Sequence, residues 1–373
     1  MKYCARCITP DSRPNIRFDT HGVCSACRNF ETKPAIDWNS RREEFLDVVK
    51  VARSSTASYD CLLPVSGGKD STWQAVVCLE HGLRVLAYTW RPPGRTVVGQ
   101  RNIENLARLG VDHIDLTVSP AVEKRLTLAS FRKFGSNAIP MHLGIYNTPL
   151  RLAVQMRIPL VVYGENSAFE YGNAADARKG FAIDADWLEK YGVTHGTSAR
   201  DWIGTAGLTE KDLSPYLAPD ISEVESAGVR AVFLGYYFPW DVEISRRVAE
   251  QHGFQSIAGG ARTGYYDYAD IDDDFISIHH WMKWFKFGFT RSFDNLSLEI
   301  RNGRMTREEA VEWLRRRGDE TPVEDIEKLC AWLGLNRGEF DAIAESFRDH
   351  SVWQQSDGVW CIPGYLVGDY PWK

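Results

Sequence analysis

The sequence predicts an α/β protein built on a doubly wound parallel sheet, and three observations carry that prediction. Short apolar runs of strand length alternate with helix-length amphipathic segments between residues 61 and 252. The first run, Cys61 to Val65, passes into a helix through the glycine turn Ser66-Gly67-Gly68-Lys69-Asp70-Ser71. Two Cys-x-x-Cys pairs precede this region and amphipathic helices follow it, so the sheet carries an appendage at each end.

The first appendage, residues 1–36, holds Cys4-x-x-Cys7 and Cys24-x-x-Cys27 with sixteen residues between the pairs. That is the spacing of a four-thiolate zinc knuckle. Four protein ligands leave no open position for a substrate water, so the predicted site is structural. A redox-cycling pair is the rival reading, but two pairs at this separation suit a metal better. Cys61, Cys78, Cys330 and Cys361 stand alone in apolar stretches and read as core.

Residues 37–260 form the sheet domain. An amphipathic helix from Trp38 to about Ala52 leads into Cys61–Val65, whose continuous apolar character suits a parallel strand covered on both faces. The turn that follows has the makings of a phosphate cradle. Gly67 and Gly68 let the backbone approach a ligand, Ser66 and Ser71 add hydroxyls, Lys69 adds charge, and the helix start offers unpaired N–H groups. A Walker loop is excluded, because Leu63 stands five residues before Gly68 and Asp70 follows Lys69. A glycine turn serving geometry alone is the plainer alternative.

The hexapeptide Ser66 to Ser71 resembles the Ser-Gly-Gly-x-Asp-Ser signature of the PP-loop pyrophosphatases. The resemblance implies an adenine nucleotide α-hydrolase-like fold, cleavage of ATP between its α and β phosphates, and a loop that holds the departing pyrophosphate.

The alternation continues with a strand at Arg84–Trp90, a helix near Gly99–Leu109, a strand at His113–Val118, a helix at Leu143–Met156 and a strand at Leu160–Tyr163. Ligands of such sheets lie at the carboxyl ends of the strands, where the strand order reverses. Thr89, Trp90 and the turn Arg91 to Gly94 are therefore expected on the adenosine side, although a plain proline-rich turn would look the same. Gly164 and Glu165, with Asn166 and Glu170 beyond, gather carboxylates and an amide suited to magnesium on ATP phosphates or to an acyl oxygen gaining charge.

Residues 174–228 interrupt the rhythm with Trp187, Tyr191, His195, Trp202 and Tyr216 in a turn-rich background, and insertions of this length are often functional or lids. Aromatic faces can stack on sugars, though local core is the ordinary use of such residues. Arg230–Tyr236 then restores a strand and Val242–His252 a helix. In the helical region, residues 261–373, Asp270, Asp272, Asp273 and Asp274 precede an apolar run from Phe275; they read first as acids at a helix start and second as magnesium ligands. Thr306-x-x-Glu309 is a capping box opening three amphipathic helices that reach Arg348. Arg315 to Arg317 reads as a solvated helix end rather than a nucleic-acid patch, and the apolar tail Trp360–Trp372 should dock back or form part of a partner surface.

Together, the cysteine pairs, the Ser66 to Ser71 loop, Gly164-Glu165-Asn166 through Glu170-Tyr171-Gly172, and Lys286-Phe287-Gly288-Phe289-Thr290-Arg291 resemble the N-acetyl sugar amidotransferases of surface polysaccharide (LPS O-antigen) biosynthesis. The resemblance spans nearly the whole chain. It implies ATP-dependent conversion of the N-acetyl group of a nucleotide-linked sugar to an acetamidine, with ATP, magnesium and zinc as cofactors. It implies catalytic roles for Lys69, Asp70, Glu165, Lys286 and Arg291, the last two directed at phosphate. Thr290 stands where family members commonly have glycine. Residue 2 is a lysine and none of the isolated cysteines sits in a Gly-x-Cys-x-Gly elbow, so the sequence shows no glutaminase of its own. A separate glutaminase partner is expected; the resemblance implies one with a barrel subunit like that of imidazole glycerol phosphate synthase.

A formal charge of −6 disfavours a protein whose task is gripping nucleic acid. No signal-peptide core and no run of ~18 apolar residues is visible, so a cytoplasmic chain without membrane insertion is expected. Two other readings compete. A tRNA-thiolating PP-loop enzyme would need a reactive cysteine beside the loop and a basic surface. A zinc scaffold that binds ATP without turnover would leave the carboxylates and cations outside the loop unexplained.

Overall fold

The computed structural model describes residues 1–164 and 193–372. Its centre is a five-stranded sheet formed by β1 (Cys61–Pro64), β2 (Val85–Trp90), β3 (Asp112–Leu116), β4 (Leu160–Tyr163) and β5 (Arg230–Phe233). The strands are all parallel and lie in the order β3-β2-β1-β4-β5. The order reverses between β1 and β4, which puts the switch point beside the glycine turn.

Period-two alternation sorts each strand between two cores. Cys61 and Leu63 of β1 pack on the face covered by α2 (Trp38–Arg53), α3 (Lys69–Glu80) and α4 (Val97–Arg108). Leu62 packs on the opposite face with Tyr88 and Trp90, under α5 (Pro120–Phe134) and α6 (Ile139–Met156). The sheet is thus covered on both sides, as the unbroken apolar runs of β2 and β4 require. Helix α5 goes beyond the sequence-based expectation, and α6 begins four residues earlier than the apolar spacing suggests. Within the interrupting segment, Trp202 and Tyr216 are fully buried in the second core, and Tyr216 lies 4.8 Å from Trp90. Those two aromatics therefore serve as local core; Trp187 and Tyr191 lie outside the described residues.

Past α7 (Val242–Gln251), the carboxyl-terminal region consists of α8 (Ile276–Phe287), α9 (Arg291–Arg301) and the three expected helices α10 (Arg307–Arg317), α11 (Val323–Leu333) and α12 (Arg337–Glu345). Helix α10 opens on the Thr306–Glu309 capping box. A short hairpin pairs Gln354–Ser356 with Val359–Cys361, and the tail docks back, with Tyr365, Tyr370 and Trp372 gathered on Trp284.

The cysteine module, which carries α1 (Ser25–Thr32), sits on this helical region. Ile8 joins the core of Phe289 and Phe293, Thr9 donates to the Ser297 hydroxyl at 3.2 Å, and Ser12 donates to the Phe287 carbonyl at 2.6 Å. Among the described residues no helix is long and apolar enough to cross a membrane.

Candidate active site

The turn after β1 is built by two glycines with different duties. Gly67 has φ +87°, and a Cβ there would lie 3.0 Å from both the backbone nitrogen and a side-chain carbon of Ile103. Gly68 is the N-cap of α3 and offers no side chain to occupy the first turn's N–H groups. Ser71 fixes the turn by accepting from the Ser66 N–H at 2.9 Å, while the Ser66 hydroxyl accepts from the Gly68 N–H at 3.2 Å. Lys69 is buried, ion-paired to Asp70 and placed 5.7 Å from the Trp240 ring centroid. Trp240 donates its indole N–H to Asp70 at 3.0 Å.

Among the described residues, two cavities border this turn and a third adjoins them. One of about 390 Å³ lies at the switch point and is lined by Ser66, Asp70, Ser71, Thr89, Tyr163 and Gly164. Thr89 also ties the strand ends together: its hydroxyl donates to the Val65 carbonyl at 2.8 Å and meets His113 Nε2 at 2.8 Å. At Gly164, just past β4, a Cβ would fall 2.0 Å from the Gln74 amide nitrogen, so the glycine lets the Gln74 side chain of α3 lie against the strand end. A second cavity of about 170 Å³ lies against the turn, walled by Ser66, Gly68, Lys69, Asp70, Asp272 and Arg291. The third, about 520 Å³, lies among Arg13, Lys283, Lys286, Arg291 and four histidines. Asp270 lines all three, and His142 lines the first and third.

The acidic run is not a helix cap. Helix α8 starts at Ile276 with no side-chain capping bond. The run is instead laced to the turn after β2, with the Thr96 N–H donating to the Asp272 carbonyl at 3.0 Å and the Asp274 N–H donating to the Gly94 carbonyl at 2.8 Å. Its carboxylates have separate partners. Asp270 accepts from Arg291 at 2.9 Å, while Asp274 pairs with Arg262 and Lys328. Burial, reinforced by Asp270, pushes the Asp272 carboxyl up to about 6 against the opposing Ser66 hydroxyl. Burial likewise pushes Asp273 up to about 7.

The cationic cavity is organised by Asp294, whose side chain is 3% exposed. It accepts from Arg13 at 2.9 Å and Lys283 at 3.0 Å, with Arg291 at 3.9 Å. Arg13 comes from the loop between the two cysteine pairs, so the amino-terminal module supplies a wall of this cavity. Lys286 donates to the Phe134 carbonyl at 3.0 Å, and burial together with Lys283 lowers its ammonium to about 8.

Of the sequence-predicted residues, the structure brings Ser66, Gly68, Lys69, Asp70, Ser71 and Arg291 together at the turn and Thr89 and Gly164 at the switch point. Lys286 lines the cationic cavity and is not among the residues walling the turn. Glu165, with Asn166 and Glu170, lies outside the described residues. Sequence reasoning missed Arg13, His142, Trp240, Lys283 and Asp294. The pair His279-His280 and an arginine within a cysteine loop were the visible signals.

At the amino terminus, Cys4, Cys7, Cys24 and Cys27 are buried with all four sulfurs within 4.8 Å of one another, a group that could hold a metal ion. Backbone N–H groups of Arg6, Thr9, Cys24 and Cys27 point at these sulfurs from 3.3 to 3.4 Å. Such donors favour thiolates over thiols.

The strand order and the Ser-Gly-Gly-Lys-Asp-Ser turn on β1 define a doubly wound parallel α/β domain with a glycine turn at its switch point, carrying an amino-terminal four-cysteine module and a helical carboxyl terminus. That carboxyl-terminal part, residues 261–363, matches the family described as LPS biosynthesis protein WbpG-like, C-terminal domain, in keeping with the surface-polysaccharide family that the sequence resembles. The matched segment supplies Asp270, Asp272, Lys283, Lys286, Arg291 and Asp294. Among solved structures, NMN synthetase from Francisella tularensis aligns at 13% identity over 80% of this chain and 94% of its own, with a TM-score of 0.31. NAD+ synthetase from Burkholderia pseudomallei aligns at 14% identity over 61% of this chain and 91% of its own, with a TM-score of 0.28. No curated protein matches the sequence.

Proposed function

We propose that the protein is an ATP-dependent amidotransferase that turns the N-acetyl group of a nucleotide-linked sugar into an acetamidine for surface polysaccharide synthesis, releasing AMP and pyrophosphate. The observation that carries this reading is the sharing of walls: the phosphate turn and a cation-lined cavity from the WbpG-like segment meet at Asp270 and His142. A nucleotide at the switch point and a second anionic substrate among the cations would then react across that junction.

In this reading the N–H groups of the turn, the Ser66 hydroxyl and Lys69 receive the β and γ phosphates, leaving the α phosphorus toward the junction. The amide oxygen attacks it, and Lys69 and Arg291 offset charge as pyrophosphate leaves. Thr89 and Gly164 border the adenosine, and Lys286 steadies the sugar nucleotide's phosphates. Asp70 and Asp272 are oxygen donors on the cavity beside the turn. They suit magnesium, which takes one or two carboxylates plus phosphates and waters and neutralises the transferring phosphoryl group.

The four thiols suit zinc. A tetrahedron with Zn–S bonds of about 2.3 Å has edges of about 3.8 Å, and Cys7–Cys24 and Cys4–Cys27 are 3.8 and 3.9 Å apart. Ammonia would come from a separate glutaminase with a barrel subunit. The thiolation reading fares worse, since no cysteine lines the three cavities among the described residues. The test is mass spectrometry of a panel of N-acetyl sugars linked to different nucleotides, incubated with the protein, ATP, magnesium and ammonium. Replacement of one oxygen by NH with stoichiometric AMP supports the reading; ATP consumption without any such product refutes it.

A further inference from the structure

We propose that His142 is the base that takes the proton from the attacking ammonia, an assignment that rests on the amidotransferase reading above. The chemistry needs such a group. When the ammonia lone pair forms the C–N bond to the adenylylated acetyl carbon, the adduct carries its new nitrogen as a positively charged ammonium. Unless a proton departs, that nitrogen is expelled again as ammonia. Transfer of one proton to imidazole makes the nitrogen neutral. The C–O bond then breaks with its electron pair passing to AMP, and the product leaves as an amidinium. One proton per turnover passes from the imidazolium to solvent.

Position singles out His142. The α phosphorus and the sugar amide must meet where the nucleotide cavity joins the cationic one. Among the described residues, the titratable side chains lining both are His142 and Asp270. Asp270 is engaged by Arg291 at 2.9 Å and faces His280 at 3.4 Å. Lys286 and His195 line the cationic cavity alone of these two, and Lys286 spends its ammonium on the Phe134 carbonyl.

The tautomer of His142 is fixed by its own helix. Nδ1 lies 2.8 Å from the carbonyl of Ala138, the residue that caps the start of α6, and a carbonyl oxygen only accepts. Nδ1 therefore carries the proton and Nε2 the lone pair, the arrangement a proton acceptor needs. Burial favours the neutral ring. His279, at 6.0 Å between ring centroids, lies on the cationic side.

The experiment uses the full chain with His142→Gln and separates the two half-reactions. Exchange of labelled pyrophosphate into ATP, dependent on an N-acetyl sugar from a panel linked to different nucleotides, reports adenylylation; mass spectrometry with ammonium reports amidine. Exchange should stay within about threefold of wild type, while amidine formation falls by about 10²-fold or more, the usual contribution of a general base. Added imidazole should restore part of the loss. Exchange and amidine falling together, or amidine formation unchanged, would overturn the assignment. Wild-type protein that exchanges no pyrophosphate with any such sugar would remove the amidotransferase reading, and this assignment with it.

Discussion

Replacing Asp294 by asparagine keeps the shape of the side chain and removes the charge around which the cationic cavity is arranged. Asp294 is buried, with Arg13 at 2.9 Å, Lys283 at 3.0 Å and Arg291 at 3.9 Å. Burial alone would raise its carboxyl, but Lys283, Arg13 and Arg291 together hold it well below the usual carboxylate range. Removing one partner of a buried ion pair costs about 3–5 kcal/mol, because the remaining charge stays buried. Unfolding entropy of about 2.1 cal/mol/K per residue gives about 0.8 kcal/mol/K for this chain. The melting temperature should therefore fall by about 4–6 °C at pH 7. A folded carboxyl pKa below the unfolded value adds stability that is present above about pH 4 and lost as pH falls through the folded value. The gap between wild type and Asp294→Asn should accordingly be full at pH 7 and narrow in strong acid. Scanning calorimetry from pH 7 downward is the assay. A loss under 1 °C at pH 7, or a gap that widens in acid, would refute the reasoning.

Four further outcomes are expected. Lys69→Ala and Asp70→Asn should lower AMP formation by about 10²-fold or more while leaving the far-ultraviolet circular dichroism unchanged, since the proposed reaction has both act on the transferring phosphate; wild-type rates in either would contradict the phosphate-turn assignment. Purified protein should contain one zinc, lost in Cys24→Ser, and native Cys4, Cys7, Cys24 and Cys27 should resist alkylation; metal-free protein with four reactive thiols would contradict the tetrathiolate site. Asp272, with its carboxyl near 6, is mostly ionised at pH 7.5 and about one-quarter ionised at pH 5.5, so the half-saturating magnesium should rise about fourfold between them; Asp272→Asn should abolish that dependence, and an unchanged profile in the variant would rule out the ligand role. Alone, the protein should use ammonium and not glutamine; unaided glutamine hydrolysis would defeat the partner expectation.

What the sequence made legible was local. The apolar run Cys61–Val65 with its two glycines, the capping box at Thr306 and the cysteine spacing each express a constraint satisfied within a few residues, and the structure has a strand, a turn, a helix start and a sulfur cluster there. What stayed hidden depends on distant partners. The acids from Asp270 to Asp274 look like a helix start because α8 follows, yet the chain first pairs Asp273 with Arg95 across the sheet domain. Arg13 reads as a loop arginine until Asp294, 281 residues away, defines its purpose. His142 lies within an apolar helix whose amphipathic spacing says nothing of a cavity junction. Helix α5 was legible in principle, since Pro120 stands at its first turn and Gly135 ends it in the left-handed conformation.

Oxygen transfer discriminates between the ways an amide can be activated. With substrate carrying ¹⁸O in the acetyl carbonyl, attack on the α phosphorus moves the heavy oxygen into AMP. Mass spectrometry of the nucleotide after one turnover with ammonium should therefore find AMP heavier by one ¹⁸O and unlabelled pyrophosphate. Label in inorganic phosphate, with ADP as the nucleotide product, would mean activation at the γ phosphorus and would contradict a Ser66–Ser71 turn that holds the departing pyrophosphate.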